Sequence, residues 1–180
     1  MRIRSFLTVS TAAAAGAALL LAAAPQGLAA QPAAQPAAKT PVCKAKVLKL
    51  GAKQSKDARV VHISVKNTGA RTCTIDRLPV VTFGDLDGAA LPVPSGESGP
   101  YKVGPGKTVY AAVRTIADLK DPEARRVGTI TVSANPNLNG RTFTAKQLGS
   151  STKIKVWEPV TTWWKPSKAA ADKALKKEVG

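Results

Sequence analysis

The sequence predicts an all-β protein built as an antiparallel β-sandwich. Apolar and polar residues alternate with a period of two in several short segments, which is typical of strands with one buried face. Turn signals rich in Gly, Pro, Asn and Asp separate these segments at intervals of roughly ten residues. The chain also holds two cysteines, Cys43 and Cys73, and an even pair in an exported chain indicates one disulfide.

Residues 1–30 have the order of a secretory signal peptide. Arg2 and Arg4 give a positive start, an alanine- and leucine-rich run follows over residues 6–24, and small residues lead up to Ala30. No cysteine lies at the cleavage region, so we expect no lipid attachment point. Residues 31–41, QPAAQPAAKTP, form a proline-interrupted linker of low complexity. We therefore expect a secreted protein that is extracellular or associated with the cell wall.

The charge balance of the chain is strongly basic. Lys and Arg number 27 and Asp and Glu number 11, a net charge of +16. Two of the arginines belong to the signal peptide, so 25 basic residues face 11 acidic ones after cleavage, a balance of +14. Such a field attracts anionic polymers and surfaces and speeds their encounter with the protein. The alternative interpretation is that the excess of positive charge only keeps the protein soluble and has no specific partner.

The clearest strand lies at residues 60–66. Val61, Ile63 and Val65 share one face of this segment, and more polar residues share the other. The same alternation predicts strands in five further segments: 81–83, 91–93, 108–114, 129–133 and 153–157. Together the alternation and the turns indicate about seven or eight short strands in a domain of residues 42–160.

Two dipeptides predict tight turns between neighbouring strands. Asp87-Gly88 lies between the segments at 81–83 and 91–93, and this pattern predicts a hairpin there. Asn139-Gly140 predicts a second hairpin after the strand at 129–133.

Residues 161–180 form a tail of different composition. Ser167 is a suitable helix N-cap, and the alanines and lysines after it favour a helix. Ala171, Ala174 and Leu175 give that helix a thin apolar stripe, and the tail as a whole is basic. We predict a short basic C-terminal helix.

The tail supplies the candidate binding residues. Trp163-Trp164 has the chemistry to stack on sugar rings or to lie at a lipid interface. The alternative is that both rings pack the tail back onto the domain, with Trp157 closing the edge of the sandwich. The candidate set is Trp163, Trp164, Lys165, Lys168, Lys173, Lys176 and Lys177.

No residue pattern in the chain predicts catalysis, a metal site or a cofactor. His62 is the single histidine, and it falls on the polar side of its strand. Asp85 and Asp87 lie beside Gly88, where turn chemistry accounts for them, and the full calcium-loop pattern is absent. A second acidic cluster is expected to pair locally with basic neighbours: Asp118, Asp121 and Glu123 with Lys120, Arg125 and Arg126. We expect a protein that is not an enzyme.

One run carries a family resemblance. Residues 67–91, NTGARTCTIDRLPVVTFGDLDGAAL, are similar to an uncharacterised domain of exported actinobacterial proteins, domain of unknown function 4232. Its members have a cysteine near the domain start, an NTG…TC turn, a P-x-V…D-x-D-G hairpin and a later PG turn, matched here by residues 103–107. The resemblance covers residues 43–156. It implies an immunoglobulin-like fold, a Cys43–Cys73 bridge and an extracytoplasmic location, and it implies no activity.

These observations predict a non-enzymatic binding module that associates with anionic cell-envelope or extracellular polymers through its basic surface and tail. The expected partner is an anionic cell-wall polymer or membrane surface. A secreted effector or inhibitor that binds another protein is the alternative. No nucleic-acid motif is present, so sequence-specific nucleic-acid binding is not expected, and the protein is expected to be a monomer.

Overall fold

The computed structural model describes residues 39–180, so the predicted signal peptide and all but the end of the linker lie outside the described residues. A short 3-10 helix spans Ala45–Val47. The strands are β1 (Leu48–Gln54), β2 (Val60–Asn67), β3 (Cys73–Asp76), β4 (Val80–Phe83), β5 (Leu91–Val93), β6 (Pro100–Val103), β7 (Thr108–Arg114), β8 (Arg125–Val127), β9 (Thr129–Ser133), β10 (Arg141–Thr144), β11 (Ile154–Val156) and β12 (Val160–Thr162). The helices are α1 (Ala145–Leu148) and α2 (Lys168–Val179).

The largest sheet has five strands in the order β1-β2-β7-β12-β5. Long antiparallel ladders join β1 to β2 and β2 to β7, and β12 pairs antiparallel with β7. Strand β5 is different, because it runs parallel to β12 at the sheet edge. Pro92 lacks the N–H that an interior strand must donate, which fits this edge position.

The predicted hairpin between the strands at 81–83 and 91–93 does not form. The chain turns there, with Gly88 at a φ of +86°. After the turn, however, β5 joins the five-stranded sheet, and β4 pairs with β9 in a separate sheet. The second predicted hairpin is confirmed, since β9 and β10 pair antiparallel on either side of Asn139-Gly140.

One hydrophobic core lies between the five-stranded sheet and the three-stranded sheet β10-β9-β4. The predicted alternation is confirmed here, because Val61, Ile63 and Val65 of β2 are fully buried. Ile130 and Val132 of β9 enter the same core from the other sheet. The two-stranded sheets β8-β11 and β3-β6 complete the domain.

The predicted disulfide is present. Cys43 and Cys73 are bonded, with their Cα atoms 4.9 Å apart. Beside it, the side chain of Asn67 is fully buried and donates to the carbonyls of Arg71 and Val103 at 2.8 and 2.9 Å. Its Oδ1 accepts from the Gly69 amide. The Asn-Thr-Gly turn therefore satisfies buried backbone groups near the bridge.

Helix α2 forms a third layer on the outer face of the five-stranded sheet. Ser167 caps it, accepting from the Ala170 amide as predicted. Ala171 and Leu175 are buried against Ala112 of β7. Because the side chains of Ala112 and Ala171 are small, the helix lies close to the strand.

The structure gives no boundary at residue 160, where the tail was predicted to begin. Thr161 and Thr162 belong to β12, and Lys165 makes two backbone hydrogen bonds with Tyr110 of β7. The described residues belong to one compact unit. The C-terminal segment is therefore part of the domain, because it completes one sheet and covers its outer face.

Removing the bridge through Cys43→Ala and Cys73→Ala should lower the free energy of unfolding by about 3–4 kcal/mol, since it closes a loop of 30 residues. Urea denaturation of the variant and of the oxidised protein measures the difference. A reducing agent should shift the oxidised protein to the variant's midpoint and leave the variant unchanged. Equal midpoints for the variant and the oxidised protein would contradict this account.

Candidate functional site

The two adjacent tryptophans of the tail point in different directions. Trp164 is 2% exposed and belongs to the core. Trp163 lies against the loop after β5, where its Nε1 donates to the Pro94 carbonyl at 2.9 Å. A Cβ at Gly96 would lie 2.5 Å from the Trp163 ring, so this close approach requires glycine. The guanidinium of Arg77 lies 5.3 Å from the centre of the same ring.

These contacts favour the packing interpretation of the pair. Trp164 has no exposed face on which a sugar ring or lipid could lie. The rings alternate because residues 160–165 are extended: one side chain enters the core and the next covers a loop. The pair holds the C-terminal segment in place, and Trp164 is not available as a binding surface in this structure.

The predicted tail lysines fall into two groups, Lys165 and Lys168 at Tyr110 and the other three along one side of α2. Lys168 lies near Tyr110, with its Nζ 5.9 Å from the ring centre. Lys173 and Lys177 are exposed and four residues apart on α2, away from the buried Ala171 and Leu175. Lys176 is exposed beside a cavity next to Arg114, and Lys165 is half-buried. The structure therefore places three of these lysines together on α2, and the buried Trp164 lies with neither group.

His62 is covered by α2, although the sequence predicted a surface position. Its Nε2 lies 2.6 Å from Oδ1 of Asp172, and its side chain is 14% exposed. This contact fastens the helix to β2. Among residues 39–180, no three His, Cys, Asp or Glu side chains gather closely enough to hold a metal ion.

Basic side chains in the described part of the chain are almost all without carboxylate partners. Arg59 and Asp57 form an ion pair at 2.8 Å, and His62 with Asp172 is the other pair found there. The hydrogen bond from the Arg59 side chain lowers the pKa of the Asp57 carboxyl. Asp57 therefore stays ionised, and its charge is already balanced by its partner.

A groove at one end of β1 collects cations from three parts of the chain. Its volume is about 410 Å³, and no Asp or Glu lines it. We call it the basic groove, and its cations are Lys53, Lys56, Arg126, Lys153 and Lys155.

The backbone brings these cations together through one short strand pairing and the end of β1. Arg126 of β8 lies directly opposite Lys155 of β11. Like charges in that position repel each other, and the repulsion falls when an anion lies between them. Lys155 also donates to the Leu119 carbonyl, which holds its ammonium at the groove. Lys53 and Lys56 come from the end of β1 and the turn that follows it.

The wall between Arg126 and Lys153 is shaped by α1 and its exit. Thr144 and Gln147 form a capping box that starts the helix, and Gly149 ends it in the left-handed conformation at a φ of +86°. The Ser150 hydroxyl then donates to the Thr152 carbonyl at 2.8 Å. This loop carries a run of hydroxyl side chains into the groove, ending at Lys153.

Sequence reasoning missed the basic groove and gave Arg126 a different partner. The predicted pairing of Asp118, Asp121 and Glu123 with nearby cations is wrong, since none forms an ion pair within the described residues. The two aspartates instead accept backbone N–H groups two residues later, from Lys120 and Glu123. A signal was present in the alternation of 153–157, which places Lys153 and Lys155 on one face.

No helix within residues 39–180 is long and apolar enough to cross a membrane.

Truncating the buried indole through Trp164→Ala should cost about 3–5 kcal/mol of the free energy of unfolding. Trp164→Phe is the matched control. It keeps an aromatic ring and removes Nε1, which is buried without a hydrogen-bond partner in the described chain, so its cost should be well under half as large. Chemical denaturation followed by circular dichroism measures both. A Trp164→Ala variant as stable as the parent would contradict the buried position.

Comparison with known proteins gives one match, to a family model. No curated protein and no solved structure matches this chain. A family model described as "Domain of unknown function (DUF4232)" matches residues 43–164, from the first cysteine of the bridge to the buried tryptophan. Because the match covers most of the chain, the protein belongs to this family of domains of unknown function.

Proposed function

We propose that this protein is a non-enzymatic binding module for anionic polymers of the cell envelope, and that the basic groove is its main contact site. The observation that carries the proposal is the lining of the groove: five cations and no carboxylate around about 410 Å³. The proposal places the binding site at the groove and not at the tail, because Trp164 is buried and the tail lysines are divided between two groups.

The chemistry of the groove suits a chain of phosphates. Lysines act as mobile point charges, while the Arg126 guanidinium offers two parallel donors to a phosphate or carboxylate. Ser151 and Thr152 are exposed at the rim and add neutral donors. A repeating polyanion also gains from the surrounding excess of positive charge, because each neutralised repeat releases bound counterions.

Two further inferences, one on the type of β-sandwich and one on the location of the protein, accompany this proposal. We infer an immunoglobulin-like sandwich, supported by antiparallel ladders between strands distant in sequence and one core shared by two sheets. We also infer export by a signal peptide, supported by the Cys43–Cys73 bridge, because disulfides persist outside the cytoplasm. A basic groove on an exported domain meets envelope polymers directly.

Deleting the tail is an unsuitable test of this function. A truncation from residue 163 removes Trp164 from the core and the backbone pairing of Lys165 with Tyr110. It also uncovers the outer face of the five-stranded sheet. Loss of binding would then report loss of structure, so charge substitutions on exposed side chains are the better test.

The double variant Arg126→Gln/Lys153→Gln should bind immobilised poly(glycerol phosphate) about thirtyfold more weakly at low salt, taking about 1 kcal/mol for each cation near an anionic surface. The slope of log affinity against log salt should fall by about two. Binding of protein produced from the full chain is measured by surface plasmon resonance across a salt series. Polyglutamate as a second ligand separates phosphate recognition from general attraction.

Lys173→Gln/Lys177→Gln is the matched control, because it removes the same charge from exposed positions on α2. It should change the affinity less than about threefold, since only the long-range field is altered. A larger loss in the control than in the groove variant would place the site on the tail and overturn the proposal. Binding that does not weaken with salt would overturn it in favour of a protein partner.

A further inference from the structure

A second cavity lies at the other end of β1, between that strand and the β9–β10 hairpin. Its volume is about 430 Å³, within the range of small-molecule sites. Like the basic groove, it has no Asp or Glu in its lining. Three leucines also line it. We call it the β1 cleft.

The apolar wall is formed by three leucines from two elements. Leu48 and Leu50 of β1 are half-buried and pack on the core with one side. Leu138 faces them from the hairpin loop. A wall of this kind contacts a short aliphatic or aromatic body and removes its surface from water.

The hairpin wall is fixed in position. The Ser133 hydroxyl, itself buried, lies 2.6 and 2.9 Å from the carbonyls of Asn135 and Leu138. The Asn135 side chain accepts from the Asn137 amide at 2.9 Å. The loop that carries Leu138 is therefore already ordered in the free protein. Binding does not have to order it, and the entropic cost of binding is lower.

Three cations line the same cleft: Lys46, Lys49 and Arg141. Arg141 is held by two contacts. Its Nη1 donates to the Leu50 carbonyl at 3.3 Å, and its guanidinium lies 4.9 Å from the centre of the Phe143 ring. The guanidinium still has N–H groups free of these contacts for an incoming oxyanion.

We propose that the β1 cleft binds a small amphipathic anion, in which a carboxylate or phosphate is joined to a short apolar body. The anionic head lies at Arg141 and Lys46, and the apolar body lies on the three leucines, because the Lys49 side chain follows the opposite face of β1 from Leu48 and Leu50. This ligand class differs from the polymer of the proposed function, and the site shares no lining residue with the basic groove.

The probes are octanoate, octyl phosphate, acetate and octanol, used with protein produced from the full chain. The two octyl anions are kept below their micellar concentrations, and octanol is kept below its solubility. Octanoate should bind at least about tenfold more tightly than acetate or octanol, because it supplies both the head and the apolar body. Comparison with octyl phosphate shows which head the cleft prefers. Calorimetry gives the affinities, and NMR shifts of the Leu138 and Arg141 amides locate the site.

Two variants test the two halves of the cleft. Leu138→Ser should weaken octanoate about fivefold and leave acetate unchanged. Lys46→Gln/Arg141→Gln should weaken octanoate binding and leave octanol binding unchanged. The matched control, Lys53→Gln/Lys56→Gln, removes the same charge at the other end of β1 and should leave octanoate affinity within about twofold.

Octanoate binding no tighter than acetate would overturn the proposal, and so would a Leu138→Ser variant with unchanged affinity. NMR shifts at the basic groove in place of the cleft would also overturn it. The proposed function is judged separately, because poly(glycerol phosphate) binding should be unaffected by Leu138→Ser.

Discussion

Strand β7 is buried on both of its faces, and the other layers are arranged around it. Val109, Ala111 and Val113 enter the core shared with the three-stranded sheet. Ala112 points the opposite way and is covered by α2. The strand also has partners along both edges, β2 and β12. Detachment of the C-terminal segment is therefore unfavourable. It would expose the apolar outer face of the sheet to water and leave one edge of β7 without a hydrogen-bonding partner.

Local alternation was enough to predict the strands that line the core, because their pattern follows directly from one buried and one exposed face. It was not enough for β5, whose partner lies almost seventy positions later in the chain, at β12. The Asp87-Gly88 turn was correctly identified, but a turn fixes only the local direction of the chain, and the partner of β5 is set by packing at long range. The predicted helix was likewise correct in place and cap, while its covering of Ala112 depends on tertiary contacts that the periodicity of α2 alone does not specify.

The candidate site was harder to predict for the same reason. Lys53 and Lys153 are a hundred positions apart in sequence and meet only because β1 and the exit of α1 adjoin in the fold. The composition showed the excess of cations but not their grouping. The lysines and tryptophans of the tail are close in sequence, yet the fold separates the two residue types: Trp164 enters the core, and Lys173 and Lys177 face outward. Closeness in sequence is a poor guide to a surface that several elements assemble.

The lysines of β1 allow two explanations. Lysine on an edge strand discourages pairing with other chains, and β1 is an edge of its sheet. That role needs only that the charges project into water. Here, Lys49 lies directly opposite Lys66 on β2, a repulsive pairing that edge protection does not require. Both ends of the strand also border cavities without a carboxylate, and Arg126 opposite Lys155 repeats the repulsion at one of them. Repulsion between Arg126 and Lys155 costs stability, and under the proposed function an anion bound in the basic groove would recover that cost as affinity.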